Sequence, residues 1–235
     1  MKHRLELLFP RSCCGCGKVW SYLCFECKKE LIPHPELCAV CHTPSKEFKT
    51  CPTCMLEGRT FLDGLLVWFS YQKTLKKLIL KIKFYHKKDI AHFLAERMAL
   101  LVQVNAYLQN ALAQRMLVVS YVPSHWYRKY FQKGYNQSEL LARHLATILQ
   151  VPVLPLFKKQ RKTASQVSLS REERFKNLKN AFVCLQASKL PSGTTLLLVD
   201  DVTTTGATLN ELAKTVKQLR SNITVRGAVL ARNMS

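Results

Sequence analysis

The stretch Leu196-Leu-Leu-Val-Asp-Asp-Val-Thr-Thr-Thr-Gly-Ala-Thr208 limits this chain to few architectures. Leu196 to Val199 is apolar without alternation, which suits a strand buried on both faces of a parallel sheet. Beyond it, Ala207, Leu209, Leu212, Ala213, Val216 and Leu219 recur at helical spacing. The segment between joins the carboxyl end of a strand to a helix N-terminus. Such a junction offers unpaired N–H groups and the positive end of the helix dipole, a natural seat for a phosphate. Thr203, Thr204, Thr205 and Thr208 can add hydroxyl donors, Gly206 admits a close approach, and Ala207 opens the helix. Asp200 and Asp201 would repel that phosphate. They make sense facing a neutral part of the same ligand, such as sugar hydroxyls, or a bridging metal. The plainer alternative is a strand that ends in acids ahead of a Thr-capped helix.

At 235 residues, 48% of them hydrophobic, the chain can build one substantial α/β core and a small accessory module. The expected division is 1–57 and 58–235. No apolar run approaches the ~18–20 residues needed to span a membrane, and Leu5 to Phe9 is interrupted by Glu6. A cytoplasmic protein is therefore expected. Lys and Arg number 36 against 15 Asp and Glu, a net charge of +21. Such an excess points to nucleic acid or other polyanions rather than to any fold. It is concentrated: Lys73, Lys76, Lys77 and Lys81 lie roughly opposite an apolar stripe of Leu75, Leu78, Ile79 and Ile82, and Lys83 follows them in the same basic run. These lysines are candidates for nucleic-acid contact, a solvated helix face being the alternative.

Eight cysteines form four C-x-x-C pairs: Cys13/Cys16, Cys24/Cys27, Cys38/Cys41 and Cys51/Cys54. Each pair sets two thiolates on one side of a tight knuckle, and two knuckles complete a tetrahedral sulfur site for zinc. Two structural zinc ions are expected. Disulfides suit an exported protein, which nothing here marks, and an iron–sulfur cluster is a further alternative. The simplest pairing is sequential, Cys13, Cys16, Cys24 and Cys27 on one ion and Cys38, Cys41, Cys51 and Cys54 on the other. An interleaved scheme, or Cys14 or His42 as a substitute ligand, also fits the spacing. Fully ligated sites leave no open position for catalysis. Cys184, alone in an apolar run, is a core residue.

Leu65 to Ser70 and Leu117 to Val122 read as strands, with a helix from Ile90 to about Gln109 between them. After the second strand come Arg128, Lys133 and a glycine, then a helix with Leu140, Leu141, Leu145 and Ile148. In open α/β sheets ligands collect at the carboxyl ends of strands, so this basic loop could receive a pyrophosphate. The aromatics Trp126, Tyr127, Tyr130, Phe131 and Tyr135 could stack bases or simply pack. Residues 158–180 read as a long mobile basic loop, with Arg161, Lys162 and Arg174 able to close over a polyanion. Ala181 to Leu185 and Ile223 to Ala231 look like the last strands.

The acid pair and Thr loop closely resemble the 5-phosphoribosyl-1-pyrophosphate (PRPP) signature of type I phosphoribosyltransferases. With the cysteine pairs, Lys81-Ile-Lys83-Phe84, Lys133-Gly-Tyr-Asn-Gln137, Arg161-Lys-Thr163, Arg174, Asn177 and Ala181-Phe182, nearly the whole chain resembles the ComF family. That resemblance implies a double zinc ribbon ahead of a type I phosphoribosyltransferase-like α/β domain, a parallel sheet with helices on both faces. It implies that Asp200 and Asp201 hold ribose hydroxyls and that residues 203–208 cradle the 5′-phosphate of PRPP bound with Mg²⁺. It also implies a part in DNA uptake and natural transformation, beside single-stranded DNA and competence-machinery proteins. Phosphoribosyl transfer to an unnamed acceptor is one outcome; a non-catalytic nucleic-acid-binding protein is the other. Lys133 stands where the family usually has arginine, which keeps the charge but not the bidentate fork.

Overall fold

A computed structural model describes residues 11–19, 21–84, 88–124, 135–161, 163 and 170–233. Its centre is a four-stranded parallel sheet of β1 (Gly64–Ser70), β2 (Leu117–Tyr121), β5 (Thr195–Thr203) and β6 (Thr224–Arg232), in the order β1-β6-β5-β2. Leu196 to Val199 are fully buried, as an unalternating apolar run requires when helices cover both faces. β5 continues through both acids to Thr203, so Asp200 and Asp201 are strand residues rather than loop residues.

Helices α3 (Lys73–Phe84), α4 (Lys88–Val104) and α5 (Ala106–Ala113) connect β1 to β2. Ile90, Ala91, Leu94, Ala95, Met98, Ala99 and Val102 form one buried stripe of α4. It packs against α6 (Gln137–Leu149), whose own stripe is Leu141, Ala142, Leu145 and Ala146. The helix expected from Ile90 to Gln109 is in fact two. Asn105 takes an extended conformation and its side chain accepts the N–H of Leu108 at 3.1 Å, capping a new helix. Asparagine competes for its own downstream backbone in this way, which an apolar period does not reveal.

Two crossovers leave the adjacent strands β2 and β5 in opposite directions. From β2 the chain runs through α6 outward to Val153, which bridges Val119 in parallel at the sheet margin. From β5 it runs through α8 (Ala207–Lys217) to β6 on the other side. α8 closes on the face opposite α4. There Gly227 of β6 leaves room for the side chains of Leu65 and Leu209; a Cβ on Gly227 would come within 2.6 Å and 3.0 Å of their methyls. Leu219, read as part of the stripe of α8, lies past the helix end and is exposed.

Residues 158–180, read as one loop, contain more order than that. β3 (Phe157–Lys159) pairs antiparallel with β4 (Phe182–Cys184), and α7 (Arg171–Leu178) lies between them. The Ser170 hydroxyl accepts the N–H of Glu173, and the Glu173 carboxylate accepts the N–H of Ser170. This reciprocal capping box starts a helix that has too few apolar residues to announce itself by period. Cys184 is buried in the core, as expected.

The cysteine-rich head, with short helices α1 (Phe25–Lys29) and α2 (Pro52–Leu56), covers the free edge of β1. Ser70 N–H donates to Ile32 at 3.0 Å, His34 N–H to Trp68 at 3.2 Å, and Thr50 N–H to Asp63 at 3.0 Å. An uncovered parallel edge would invite pairing with another chain, and the head removes it. Leu23, Leu31 and Phe48 join the same hydrophobic cluster as the sheet.

Gly227→Val would overfill the contact between α8 and the sheet. It should destabilise the protein by about 1–3 kcal/mol, read as a lower urea midpoint at unchanged m-value. An unchanged midpoint would show that α8 does not approach the sheet this closely.

Candidate ribose phosphate site and cysteine clusters

The site follows from the opposite crossovers at β2 and β5. Where they diverge, the carboxyl ends of the two strands leave a crevice, the usual ligand position in doubly wound sheets. β5 delivers Asp200 and Asp201 to its rim, half-buried. Asp200 Oδ1 accepts the Ser138 hydroxyl at 2.7 Å and the N–H of Asp201 at 2.9 Å. Asp201 Oδ1 accepts the N–H of Val202 at 2.7 Å. Ser138 stands in the first turn of α6, where the Asn136 side chain accepts its N–H at 3.1 Å. Asn136 also donates to the Val122 carbonyl at 2.9 Å, tying this helix start to the end of β2. Asp200 thus meets the positive end of a second helix.

The loop after the acids is ordered by its own hydroxyls. Thr203 Oγ1 accepts the N–H of Gly206 at 3.1 Å, and Thr205 Oγ1 accepts the N–H of Ala207 at 3.3 Å. A hydroxyl that accepts in this way still has its proton to donate outward. Gly206, at φ 76°, is the N-cap of α8 and supplies no side-chain cap; nothing lies within 4 Å of where its Cβ would stand. The start of α8 therefore meets open space, as close approach of a phosphate to its backbone requires. Thr208 lies in the first turn of that helix, half-buried.

Two guanidiniums hold Thr204. Arg174 of α7 donates to its hydroxyl at 2.5 Å, and Arg232 at the end of β6 donates to its carbonyl at 3.2 Å. Of the basic residues expected to meet a polyanion, only Arg174 is brought to this loop among those described. Arg161 instead donates to the carbonyls of Asn177 and Lys179 at 2.8 and 2.9 Å, closing the end of α7. Arg128, Lys133 and Lys162 lie outside the described residues, as do Trp126, Tyr127, Tyr130 and Phe131. Lys73 and Lys76 are exposed on α3, Lys81 is half-buried, and Lys83 falls on the same helix. Lys77 is committed to the head, donating to the Gly15 carbonyl at 3.0 Å. Ser138 and Arg232 were not singled out in the sequence. A serine at a helix start announces capping but not the acid it will meet across the sheet.

The eight paired cysteines gather in two groups, Cys13, Cys16, Cys24 and Cys27, and Cys38, Cys41, Cys51 and Cys54, each with all sulfurs within 4.8 Å of one another. Zn–S bonds of ~2.3 Å imply sulfur separations of about 3.8 Å in a tetrahedron. Cys16–Cys24 and Cys41–Cys51, each 3.5 Å, come near it. The sequential arrangement is the one adopted, and neither the Cys14 sulfur nor a His42 ring nitrogen belongs to either group. Donation from the Thr43 hydroxyl and N–H lowers the Cys41 thiol to about 6. Burial works to raise Cys13, but N–H groups of Cys24, Cys16 and Gly15 outweigh it and lower that thiol to about 6 as well. Burial and the neighbouring thiols push Cys27 and Cys54 upward. Against burial, backbone N–H groups of Cys41, Cys51 and Val40 likewise lower Cys38, so each group holds thiol poised to ionise, and the thiolate is the form that ligates a metal. Two four-sulfur groups of this kind fit a double zinc ribbon.

A phosphoribosyl transferase domain model matches residues 136–235, from the cap of α6 to the chain end. Competence protein F of Haemophilus influenzae is 31% identical over 216 residues, 85% of this chain and 93% of that protein. DNA utilization protein YhgH of Escherichia coli K12 is 34% identical over 209 residues, 82% of this chain and 89% of that protein. The chain belongs to the ComF family. The ComF assignment covers head and sheet together, whereas the domain model begins only at Asn136. Among the described residues, no helix of this ComF-family chain is long and apolar enough to cross a membrane.

Reconstitution should load two zinc ions per chain, and cobalt substitution should give thiolate charge-transfer absorption. Stripping the metal should lower the melting temperature by several degrees, since structural zinc contributes folding energy directly. A chain that melts identically with and without metal would remove zinc from the fold.

Proposed function

We propose that the crevice between β2 and β5 binds a ribose 5-phosphate ligand, PRPP in particular, and that the protein acts in DNA uptake and natural transformation inside the cell. The single observation that carries this reading is the juxtaposition of an anchored acid pair with an open helix N-terminus on one strand end. A ligand with hydroxyls at one end and a phosphate at the other satisfies both without strain. Asp200 and Asp201 accept the ribose hydroxyls, while the hydroxyls of residues 203–208, and their N–H groups other than those of Gly206 and Ala207, donate to the 5′-phosphate. Mg²⁺ prefers carboxylate oxygen and phosphate oxygen, so the acid pair suits a metal carried in with a pyrophosphate. Asp200 and Asp201 would hold such an ion, and the chemistry it would supply is neutralisation of the leaving pyrophosphate's charge.

The residues of this chain then do three things. The acids orient the sugar, α8 fixes the phosphate, and Arg174 beside Thr204 adds positive charge at the rim. Transfer of the phosphoribosyl group, should it occur, passes through positive charge on the ribose next to two carboxylates. The DNA-uptake role rests on relatives named for competence and DNA utilization. The residues 1–57 and 58–235 are proposed as the head and the ligand-binding unit.

Calorimetry with PRPP and Mg²⁺ tests the site. Asp200→Asn and Asp201→Asn should each weaken binding about tenfold or more, the loss of a hydrogen bond to a charged acceptor. Ser138→Ala should weaken it less, because it only frees Asp200 to turn. Equal affinity in all four proteins would exclude the crevice as the PRPP site.

The exposed Lys73 and Lys76 favour a second reading, in which α3 contacts single-stranded DNA without turnover elsewhere. Affinity for an oligonucleotide should then fall steeply as salt rises, and Lys73→Ala/Lys76→Ala should flatten that slope by up to about 1.4, at ~0.7 per phosphate contact. A slope unchanged by the double substitution would place any DNA contact elsewhere.

A further inference from the structure

Arg232 is the last residue of β6, paired in register with Thr203 of β5, and only 2% exposed. Its guanidinium reaches two places that are far apart in sequence. On one side Nε donates to the Thr204 carbonyl at 3.2 Å, inside the loop that receives the phosphate. On the other, Nη2 donates to the Ala39 carbonyl at 2.7 Å and to His42 Nε2 at 2.9 Å. Ala39 lies within the Cys38–Cys41 knuckle of the second cysteine group, and His42 follows it directly. Arginine has donors only, so His42 presents its unprotonated nitrogen here.

The knuckle sets where these two acceptors stand. Cys38 N–H donates to Thr43 at 2.9 Å and His42 N–H to Cys38 at 3.1 Å, with His42 held at a left-handed φ of 62°. A non-glycine residue keeps such a conformation only when its surroundings fix it. Those surroundings are the backbone bonds of the knuckle and Arg232, and a metal would draw together the Cys38 and Cys41 sulfurs that flank them. The first cysteine group is wired differently, its knuckle carbonyl at Gly15 meeting Lys77 on α3.

We infer that Arg232 is a positioning residue that couples metal at the second cysteine group to the order of the phosphate loop. A buried guanidinium must keep its acceptors or pay heavily in desolvation. With the knuckle formed, two acceptors on the head hold it in the one orientation that also holds the Thr204 carbonyl. With the knuckle loosened, those acceptors drift and the loop loses one of its two outer anchors, leaving Arg174 on Thr204. Coupling of this kind is reciprocal: a ligand that orders the loop also tightens metal at Cys38, Cys41, Cys51 and Cys54, and does not tighten it at the first group. The part of this inference that concerns PRPP rests on the phosphate-loop reading above; the part that concerns loop order does not.

The test uses the full zinc-loaded chain and His42→Ala, which removes one acceptor at an exposed position without touching a cysteine or the loop. Arg232→Lys serves as a second variant, keeping charge without the fork. Two quantities are measured: zinc release to a chromogenic chelator, and hydrogen exchange at residues 204–207. In His42→Ala, one of two zinc equivalents should leave about fivefold faster or more, and exchange at residues 204–207 should rise by a similar factor. Saturating PRPP should slow one zinc equivalent in the parent chain and lose that effect in both variants. Faster zinc release with unchanged exchange in the loop overturns the coupling, as does unchanged release in both variants. If PRPP binds none of the proteins, the ligand reading fails while the exchange measurement still decides the coupling.

Discussion

Two guanidiniums buried along β6 determine how the head sits on the sheet. Arg226 and Arg232 are each 2% exposed in a strand whose neighbours are apolar. Burial pulls Arg226 below the usual arginine range, yet a charged guanidinium remains the form to be satisfied. Arg226 donates to the Glu47 carbonyl at 3.2 Å and lies 4.3 Å over the Tyr107 ring. Arg232 takes Ala39 and His42. Both sets of acceptors include backbone supplied by the cysteine-rich head. Without these head acceptors Arg226 would be left with Asn105 and the Tyr107 ring, and Arg232 with the Thr204 carbonyl, among the described residues. The head is therefore part of the sheet's electrostatics as well as a cover for its edge.

The same strand order that buries these arginines creates the crevice. β5 lies beside β2, and the crossovers that follow them part in opposite directions, α6 to one face and α8 to the other. Their N-termini consequently converge on the end of β5, α6 through Ser138 at Asp200 and α8 through Gly206. An acid at a strand end surrounded by apolar side chains would be costly, and the Ser138 hydroxyl with the dipole of α6 offsets that cost.

Much of this was legible because the features are local. Leu196 to Val199 signalled a doubly covered strand by lacking alternation, and the C-x-x-C spacing signalled its own geometry. α7 is invisible to hydrophobic periodicity because its start is encoded by two polar residues, Ser170 and Glu173, in a basic segment with little apolar content. The helix break was missed because Asn105 acts through one hydrogen bond inside an otherwise continuous stripe. Ser138 and Arg232 were illegible for a different reason. Their partners, Asp200, Thr204 and the Ala39 knuckle, are 62, 28 and 193 residues away, and only the strand order brings them within reach. A sequence names the acids of a site more readily than the groups that aim them.

The polarity proposed for a ligand in the crevice follows from charge alone. Asp200 and Asp201 precede the loop, and the N-terminus of α8 closes it. A phosphate set beside the acids would face two like charges, while at the helix start it meets backbone donors and the dipole. Neutral hydroxyls set at the helix start would gain little there and leave the carboxylates to be desolvated uncompensated. Only the arrangement with hydroxyls on the acids and phosphate on α8 uses both ends. The loop between is already fixed from inside by Thr203 and Thr205 and from outside by Arg174 and Arg232, so little ordering entropy remains to be lost on binding. Rigidity there has to come from outside as well as inside, because Gly206, the one residue whose openness the proposed phosphate would need, contributes no side chain to hold it.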